Sequence, residues 1–216
     1  MSITENTKRL LEEIPAGVRV MAAVKTRTPE EIIEVLNAGI SLLGENYVQE
    51  AETARAAVSL PAEWHCIGHL QKNKVKKAVT LFDVIETVDS IGLAREIDRH
   101  CAALGKVMPV YIEVNSARES QKSGAMPEDV PALLADIAGL EYIKVTGLMT
   151  MGPAAGGEAC RSCFRETKQL FDRLRGLHLP GAELTELSMG MTDSYQAAIE
   201  EGATMIRIGS LIFGPR

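Results

Sequence analysis

Val18-Arg19-Val20-Met21-Ala22-Ala23-Val24 is followed at once by Lys25-Thr26-Arg27 and then by Thr28-Pro29-Glu30-Glu31. The first stretch is short, apolar and β-branched at both ends, which is the signature of a buried strand. The last four residues open a helix. Thr28 can cap it, Pro29 suits the first helical position, and Glu31 completes a capping box. Lys25 therefore stands at the carboxyl end of a buried strand, where α/β folds carry their chemistry. An amine partly withdrawn from water there has a lowered pKa and condenses with an aldehyde or ketone to a Schiff base. The plain alternative is a surface lysine that happens to follow a strand.

The same strand–loop–helix unit recurs along the chain. An amphipathic helix over 3–14 comes first. Further strand signals fall at 40–43, 64–67, 84–88, 109–114, 143–149, 183–187 and 205–208. Helical signals lie between them, at 29–38, 48–58, 72–79, from the Asp89-Ser90 caps to 104, and at 127–138, 158–174 and 194–201. Alternation of this kind argues for parallel strands joined by helical crossovers, and eight such units close a (β/α)8 TIM barrel. The sequence stops just after the eighth strand, so no helix is expected there. The N-terminal helix is expected to close the ring in its place, because strand eight lies beside strand one. A doubly wound open sheet is the alternative, and it explains the helix-first order less well. No linker or shift in composition interrupts the chain, so one domain is expected over 1–216.

The 216 residues are 46% hydrophobic and 24% charged, as in ordinary globular chains. A net charge of −6 argues against a general nucleic-acid binder, which needs a basic face. Residues 1–10 lack the apolar core of a signal peptide, and no apolar run is long enough to span a bilayer. Cys160 and Cys163 have a zinc-like spacing, but no second Cys or His pair follows. With Cys66 and Cys101 they are expected to be free thiols, with no metal, in a reducing, cytoplasmic setting.

Two late stretches complete a candidate site. Leu187-Ser188-Met189-Gly190-Met191-Thr192-Asp193-Ser194 follows strand seven, and Met205-Ile206-Arg207-Ile208-Gly209-Ser210 forms and ends strand eight. Barrels often bind phosphate on the loops after these two strands, where small residues expose backbone N–H groups. Ser188, Gly190, Gly209 and Ser210 suit that task. Ile206 and Ile208 flank Arg207, so alternation points the aliphatic pair at the helices and the guanidinium inward. A buried charge needs a partner or a ligand. An internal ion pair with Glu45, Glu86 or Glu113 is one reading, and a ligand contact is the other. Strand eight neighbours strand one at about 5 Å, which brings together an amine, an arginine and a phosphate cradle. Pyridoxal 5′-phosphate, with an aldehyde, a hydrogen-bonding ring atom and a phosphate, satisfies all three.

The stretches Ala22-Ala23-Val24-Lys25-Thr26, Gly44-Glu45-Asn46-Tyr47-Val48-Gln49-Glu50, Trp64-His65-Cys66-Ile67-Gly68-His69-Leu70-Gln71-Lys72-Asn73-Lys74, Ser123-Gly124, Gly147-Leu148-Met149, Leu187-Ser188-Met189-Gly190-Met191 and Met205-Ile206-Arg207-Ile208-Gly209 resemble the YggS/PROSC family of pyridoxal phosphate homeostasis proteins. The resemblance runs from about residue 18 to the end. It implies a barrel like the N-terminal domain of alanine racemases, with Lys25 as the Schiff-base lysine. It also implies Arg207 near the pyridine nitrogen, Asn46 at the ring side, and Ser188, Gly209 and Ser210 at the phosphate. Many relatives continue beyond the position of Arg216, so a basic tail has no assigned role here.

Three function classes follow. The first is a monomeric carrier that holds the cofactor reversibly, with no catalytic residue and with cofactor-dependent apo-enzymes as recipients. The second is an amino-acid racemase of weak activity, and the third a Schiff-base aldolase acting on a phosphorylated sugar. Racemisation needs a proton donor on each face of the substrate carbon. Alanine racemases supply one from a second domain. Here only Tyr47 and Tyr195, among Tyr47, Tyr111, Tyr142 and Tyr195, fall in loops on the site side. Lys72, Lys74, Lys76 and Lys77 read as a solvated helix face or as an anion patch. Lys122 is expected to be a loop lysine, with a transient second amine as the alternative, and His65 to be a core histidine.

Overall fold

Strand β1 (Arg19–Ala23) pairs in parallel with β2 (Leu42–Glu45) on one side and with β8 (Met205–Ile208) on the other, and this closes the ring. The computed structural model describes residues 2–153 and 155–214. The chain terminus at Arg216, and with it the question of a tail, lies outside them. Between those strands run β3 (Glu63–Cys66), β4 (Val84–Val88), β5 (Met108–Glu113), β6 (Ile143–Thr150) and β7 (Ala182–Met189), in chain order around the barrel. The helices are α1 (Ile3–Glu13), α2 (Pro29–Asn37), α3 (Val48–Ala57), α4 (Val75–Leu81), α5 (Ile91–Ala102), α6 (Val130–Ala138), α7 (Arg161–Arg175), α8 (Tyr195–Glu200) and α9 (Ser210–Phe213).

Alternation along the strands sorts the core into two layers. Met21, Leu42, Val84, Tyr111, Met149 and Met205 fill the barrel interior. Ala22, Leu43, Ile85, Ile112, Ile206 and Ile208 face outward into the layer under the helices. Burying each large aliphatic side chain contributes about 1.5–3 kcal/mol, and the two layers fix which residues of each strand point at the axis. Arg207 lies between Ile206 and Ile208 and therefore points inward, 3% exposed.

The capping box expected at Thr28 is present: Thr28 Oγ1 accepts from Glu31 N–H, and Glu31 Oε2 accepts from Thr28 N–H at 2.8 Å. Ser2 and Glu5 cap α1 in the same way. β2 begins two residues later than the apolar run at 40–43 suggests. Gly39, at φ +113°, and Ile40, whose N–H still bonds Val35 O, are spent on ending α2. That shift places Glu45 on the strand's last position. The other departure concerns the end of the barrel. A one-turn helix, α9, follows β8 where none was expected, and Asn6 of α1 donates to Ile212 O at 3.1 Å. α1 thus closes the ring with α9 seated on it.

Among the described residues no helix is long and apolar enough to cross a membrane, and no group of His, Cys, Asp and Glu could hold a metal ion. All four cysteines are free. Cys160 Sγ faces Pro153 O and Cys163 Sγ faces Ser116 O, so the zinc-like pair diverges.

Candidate functional site

The loop after β1 is a tight turn. Val24 O accepts from Arg27 N–H at 3.0 Å, which makes Lys25 and Thr26 its two central residues. Thr26 has φ +63°, a left-handed conformation that β-branched residues rarely adopt. Its N–H donates to Glu50 Oε2 at 2.7 Å, and Val24 N–H donates to Gly44 O at 2.9 Å. The turn holds Lys25 at the barrel mouth. Lys25, Asn46, Arg207, Gly209 and Ser210 line one cavity of about 480 Å³ at the carboxyl ends of the strands. Arg27 also lines it. Sequence reading missed Arg27, although its place two residues after Lys25 was the available signal. Its guanidinium stacks on Phe213 at 4.9 Å and pairs with Glu31, tying the β1 loop to α9.

Ser188 lies elsewhere. It is fully buried inside the barrel, accepts from Arg207 Nη1 at 2.6 Å and donates to Glu86 Oε2 at 2.7 Å. Arg207 Nη2 donates to Thr150 O at 2.8 Å. The ion pair of Arg207 with a carboxylate, one of the two readings, is present only indirectly, relayed to Glu86 through a hydroxyl. Burial pulls the Arg207 pKa below its ordinary value, while Glu86 and Glu113 oppose the shift.

His65 extends this network. Its Nδ1 lies 2.6 Å from Glu86 Oε1 and its Nε2 2.9 Å from Glu63 Oε1. Burial alone would push its pKa down, but the two carboxylates outweigh that and raise it. Glu63, hydrogen-bonded by His65 and paired with Arg19, is held down at about 2. His65 is thus a core histidine inside a charged relay.

The mouth also carries carboxyls with raised pKa values. Glu45 Oε1 accepts from the N–H groups of Asn46 and Tyr47 at 2.6 and 3.2 Å, yet burial raises it to about 7, with the Lys25 charge opposing. Glu113 is likewise pushed up to about 7 by burial, helped by Asp89 and opposed by Arg207.

A second cavity of about 340 Å³ adjoins the first and shares Asn46, Ile67, Met151, Met191 and Asp193 with it. Lys122 lines this one, donating to Gly152 O at 2.7 Å and pairing with Glu119. Of the basic cluster, Lys77 pairs with Glu52 across an exposed surface.

The first cavity fits the group that the sequence suggests. Asn46 Oδ1 is buried there with no hydrogen-bond partner, so it awaits a donor. A Cβ at Gly209 would meet nothing nearer than Ala23, at 3.8 Å, so the space over the strand end is open. In the first turn of α9, Ile212 and Phe213 N–H both donate to Gly209 O, which leaves the N–H groups of Ser210 and Leu211 to suit an anion beside Gly209. Gly68 is bare for another reason: a Cβ there would stand 2.2 Å from Asn46 O, so the glycine lets the β3 loop press against Asn46.

Comparison with known proteins agrees with this geometry. The description of the alanine racemase N-terminal domain matches residues 1–216. A pyridoxal phosphate homeostasis protein of Aquifex aeolicus is 39% identical over 228 residues, covering 100% of this chain and 99% of the relative. One of Pasteurella multocida is 37% identical over 205 residues, covering 93% and 88%. PipY of Synechococcus elongatus PCC7942 superposes with a TM-score of 0.93 at 36% identity without PLP, over 99% of this chain and 100% of that one. With PLP bound it superposes at 0.90 and 34% identity, with the same coverage. An alanine racemase of Clostridium difficile, 16% identical with a TM-score of 0.80, shares the fold over 99% of this chain and 55% of its own.

Proposed function

The chain belongs to the pyridoxal phosphate homeostasis proteins, within the alanine racemase N-terminal domain family, and from that premise we propose that it holds pyridoxal 5′-phosphate as a Schiff base on Lys25 and buffers or delivers it in the cytoplasm without appreciable catalysis. The observation that carries the reading is the convergence of Lys25, Asn46, Arg207 and Gly209 on one cavity. When bound, the cofactor supplies an aldehyde for the amine and an electron sink for attached amines. The residues of this chain bind and orient. Lys25 Nζ offers the nucleophile, and Gly209 and Ser210 offer backbone donors for the phosphate. Arg207 presents N–H groups to the ring-nitrogen side and, being a donor only, leaves that nitrogen without an added proton. Ser188 acts from behind, holding Arg207. An unprotonated ring is a weak electron sink.

Proton transfer at a substrate carbon has little support in this site. No tyrosine lines either cavity among the described residues. Tyr195 Oη is 3.5 Å from Glu13 of α1, Tyr111 is packed inside the barrel, and Tyr47 is 56% exposed. The carrier reading extends to a monomer that passes the cofactor to apo-enzymes. Borohydride reduction of the yellow protein followed by peptide mapping tests the anchor: the label is expected on Lys25, and a label confined to Lys122 would overturn the assignment. Incubation with L-alanine in deuterated water tests the second half. Rapid α-proton exchange, or the D-enantiomer, would replace the carrier with a racemase.

A further inference from the structure

The second cavity has an unmet chemical demand. Its polar groups are nearly all committed: Asn115 Nδ2 donates to Glu119 O at 2.9 Å, Thr150 Oγ1 to Val114 O at 2.9 Å, Ser116 Oγ is 2.5 Å from Thr167 Oγ1, and Lys122 Nζ donates to Gly152 O at 2.7 Å. Asp193 is exposed, and Glu113 and Asn46 are the exceptions with buried oxygens. Glu113 is 7% exposed, it lines the cavity, and its Oε2 is buried with no hydrogen-bond partner. Asn46 lines both cavities and also has a buried, partnerless oxygen. Both orphans are acceptors, so the missing group is a donor. A carboxylate withdrawn from water calls for a cation in particular. The remaining lining includes Ile67, Val114, Met151, Pro153 and Met191, which calls for an apolar stem behind that cation.

We propose that this cavity binds a primary alkylammonium group, free or at the end of a lysine side chain, with Glu113 as its counter-charge and Asn46 Oδ1 as a second acceptor. An ammonium carries three donors, enough for both oxygens, and an alkyl stem of a few carbons fills the apolar part. The site lies beside the Lys25 cavity without including Lys25.

The pH dependence follows from what faces Glu113. Glu86 on β4 and Asp89 just beyond it are negative, and Arg207 on β8 is positive. Lys122, His69 and Asp193 stand on the loops after β5, β3 and β7. With Glu113 held near 7, its anion gains population as pH rises through neutrality. The ammonium stays charged over that range. Affinity is thus expected to rise about tenfold from pH 6 to pH 8.

The test uses holo-protein reduced with borohydride, in which Lys25 is blocked and no exchangeable imine remains. Calorimetric titration with n-butylamine is expected to show binding that weakens about tenfold at pH 6, and at least tenfold in Glu113→Gln. n-Butanol, of the same shape without charge, is expected not to bind. Capped lysine (Nα-acetyl-lysine amide) separates the sources: binding shows that a lysine side chain is admitted, and binding of butylamine alone restricts the site to small amines. Butylamine affinity that is unchanged by Glu113→Gln, independent of pH, or matched by butanol overturns the proposal. The proposal does not depend on cofactor binding. If the protein takes up no pyridoxal phosphate, the carrier reading fails by its missing colour, and the same titrations on the unreduced chain still decide the amine site.

Discussion

Arg207 meets Ser188 across 2.6 Å, and the direction of that hydrogen bond is fixed by chemistry. A guanidinium only donates, so Ser188 Oγ must accept and turn its single proton to Glu86. Glu86 is then left to accept from His65, whose other nitrogen faces Glu63. With a carboxylate on each side, the imidazole satisfies both contacts only when both of its nitrogens carry protons. The barrel axis thus holds a directional chain of hydrogen bonds that ends at the cavity-lining arginine.

Ser188→Ala removes the middle of that chain. It leaves an Arg207 N–H and a Glu86 oxygen buried without partners, a loss of about 1–3 kcal/mol in unfolding free energy. Urea denaturation of the protein without cofactor measures it. Cofactor affinity should fall as well, because Arg207 loses the contact that orients it. A variant as stable as the parent would show that the relay carries no structural weight.

Gly209→Ala separates binding from folding in the opposite sense. The added methyl meets only Ala23, at 3.8 Å, and the backbone there has an ordinary negative φ, so the melting temperature without cofactor should hardly move. The methyl projects over the proposed phosphate cradle, so cofactor affinity should drop by about tenfold or more, roughly 1.4 kcal/mol. Unchanged affinity in equilibrium dialysis would move the phosphate away from Gly209.

Stability should fall as pH rises toward neutrality. Glu45 and Glu113 have folded pKa values raised to about 7, so between the ordinary carboxylate range and 7 the folded state holds protons that the unfolded chain has released. Each group contributes up to about 3 kcal/mol to that decline. Glu63, held at about 2, acts the other way, and its contribution is lost only in strong acid. Unfolding free energies at pH 5, 6, 7 and 8 should therefore decrease, and Glu45→Gln should flatten the slope. A profile indifferent to that substitution would remove Glu45 from the account.

Thr26→Gly should relieve a left-handed strain of about 1–3 kcal/mol, offset in part by the entropy of the glycine. The fold should be unharmed or stabilised. Lys25, its neighbour in the turn, should lose orientation, and visible absorbance on adding cofactor should develop more slowly than in the parent. Stopped-flow absorbance distinguishes this from a purely structural turn, for which the rate would not change.

The barrel was legible because its signals are periodic: the cap at Thr28 and the glycines after several helices mark the units, and alternation at 206–208 turns Arg207 inward. Strand boundaries were less so. The apolar run at 40–43 does not reveal how many residues the preceding cap consumes, and that offset decides that Glu45 ends β2. Lys25, Arg207, Gly209 and Ser210 meet in one cavity, as their placement on neighbouring strands implied, and Asn46, which only the family resemblance suggested, lines it with them. The exception, Ser188, lies on β7 itself, and nothing local distinguishes a hydroxyl aimed at a ligand from one aimed across the barrel. The relay through His65 and Glu86 joins residues from different strands and becomes visible only once their register is known.

The seam between β1 and β8 has a consequence in time. The turn that bears Lys25 follows β1, and Gly209 follows β8, so the site is assembled from opposite ends of the sequence. Closing so long a segment costs little more free energy than closing a shorter one, since the entropy grows only as the logarithm of length. It comes late, however, because pairings distant in sequence form slowly. The cavity shared by Lys25 and Gly209 stays incomplete until residues 205–208 have docked against 19–22. Once they have, a ligand bridging the two edges holds the ring shut by mass action. When that ligand leaves, the seam keeps only its four paired positions, Arg19 to Ala22 against Met205 to Ile208.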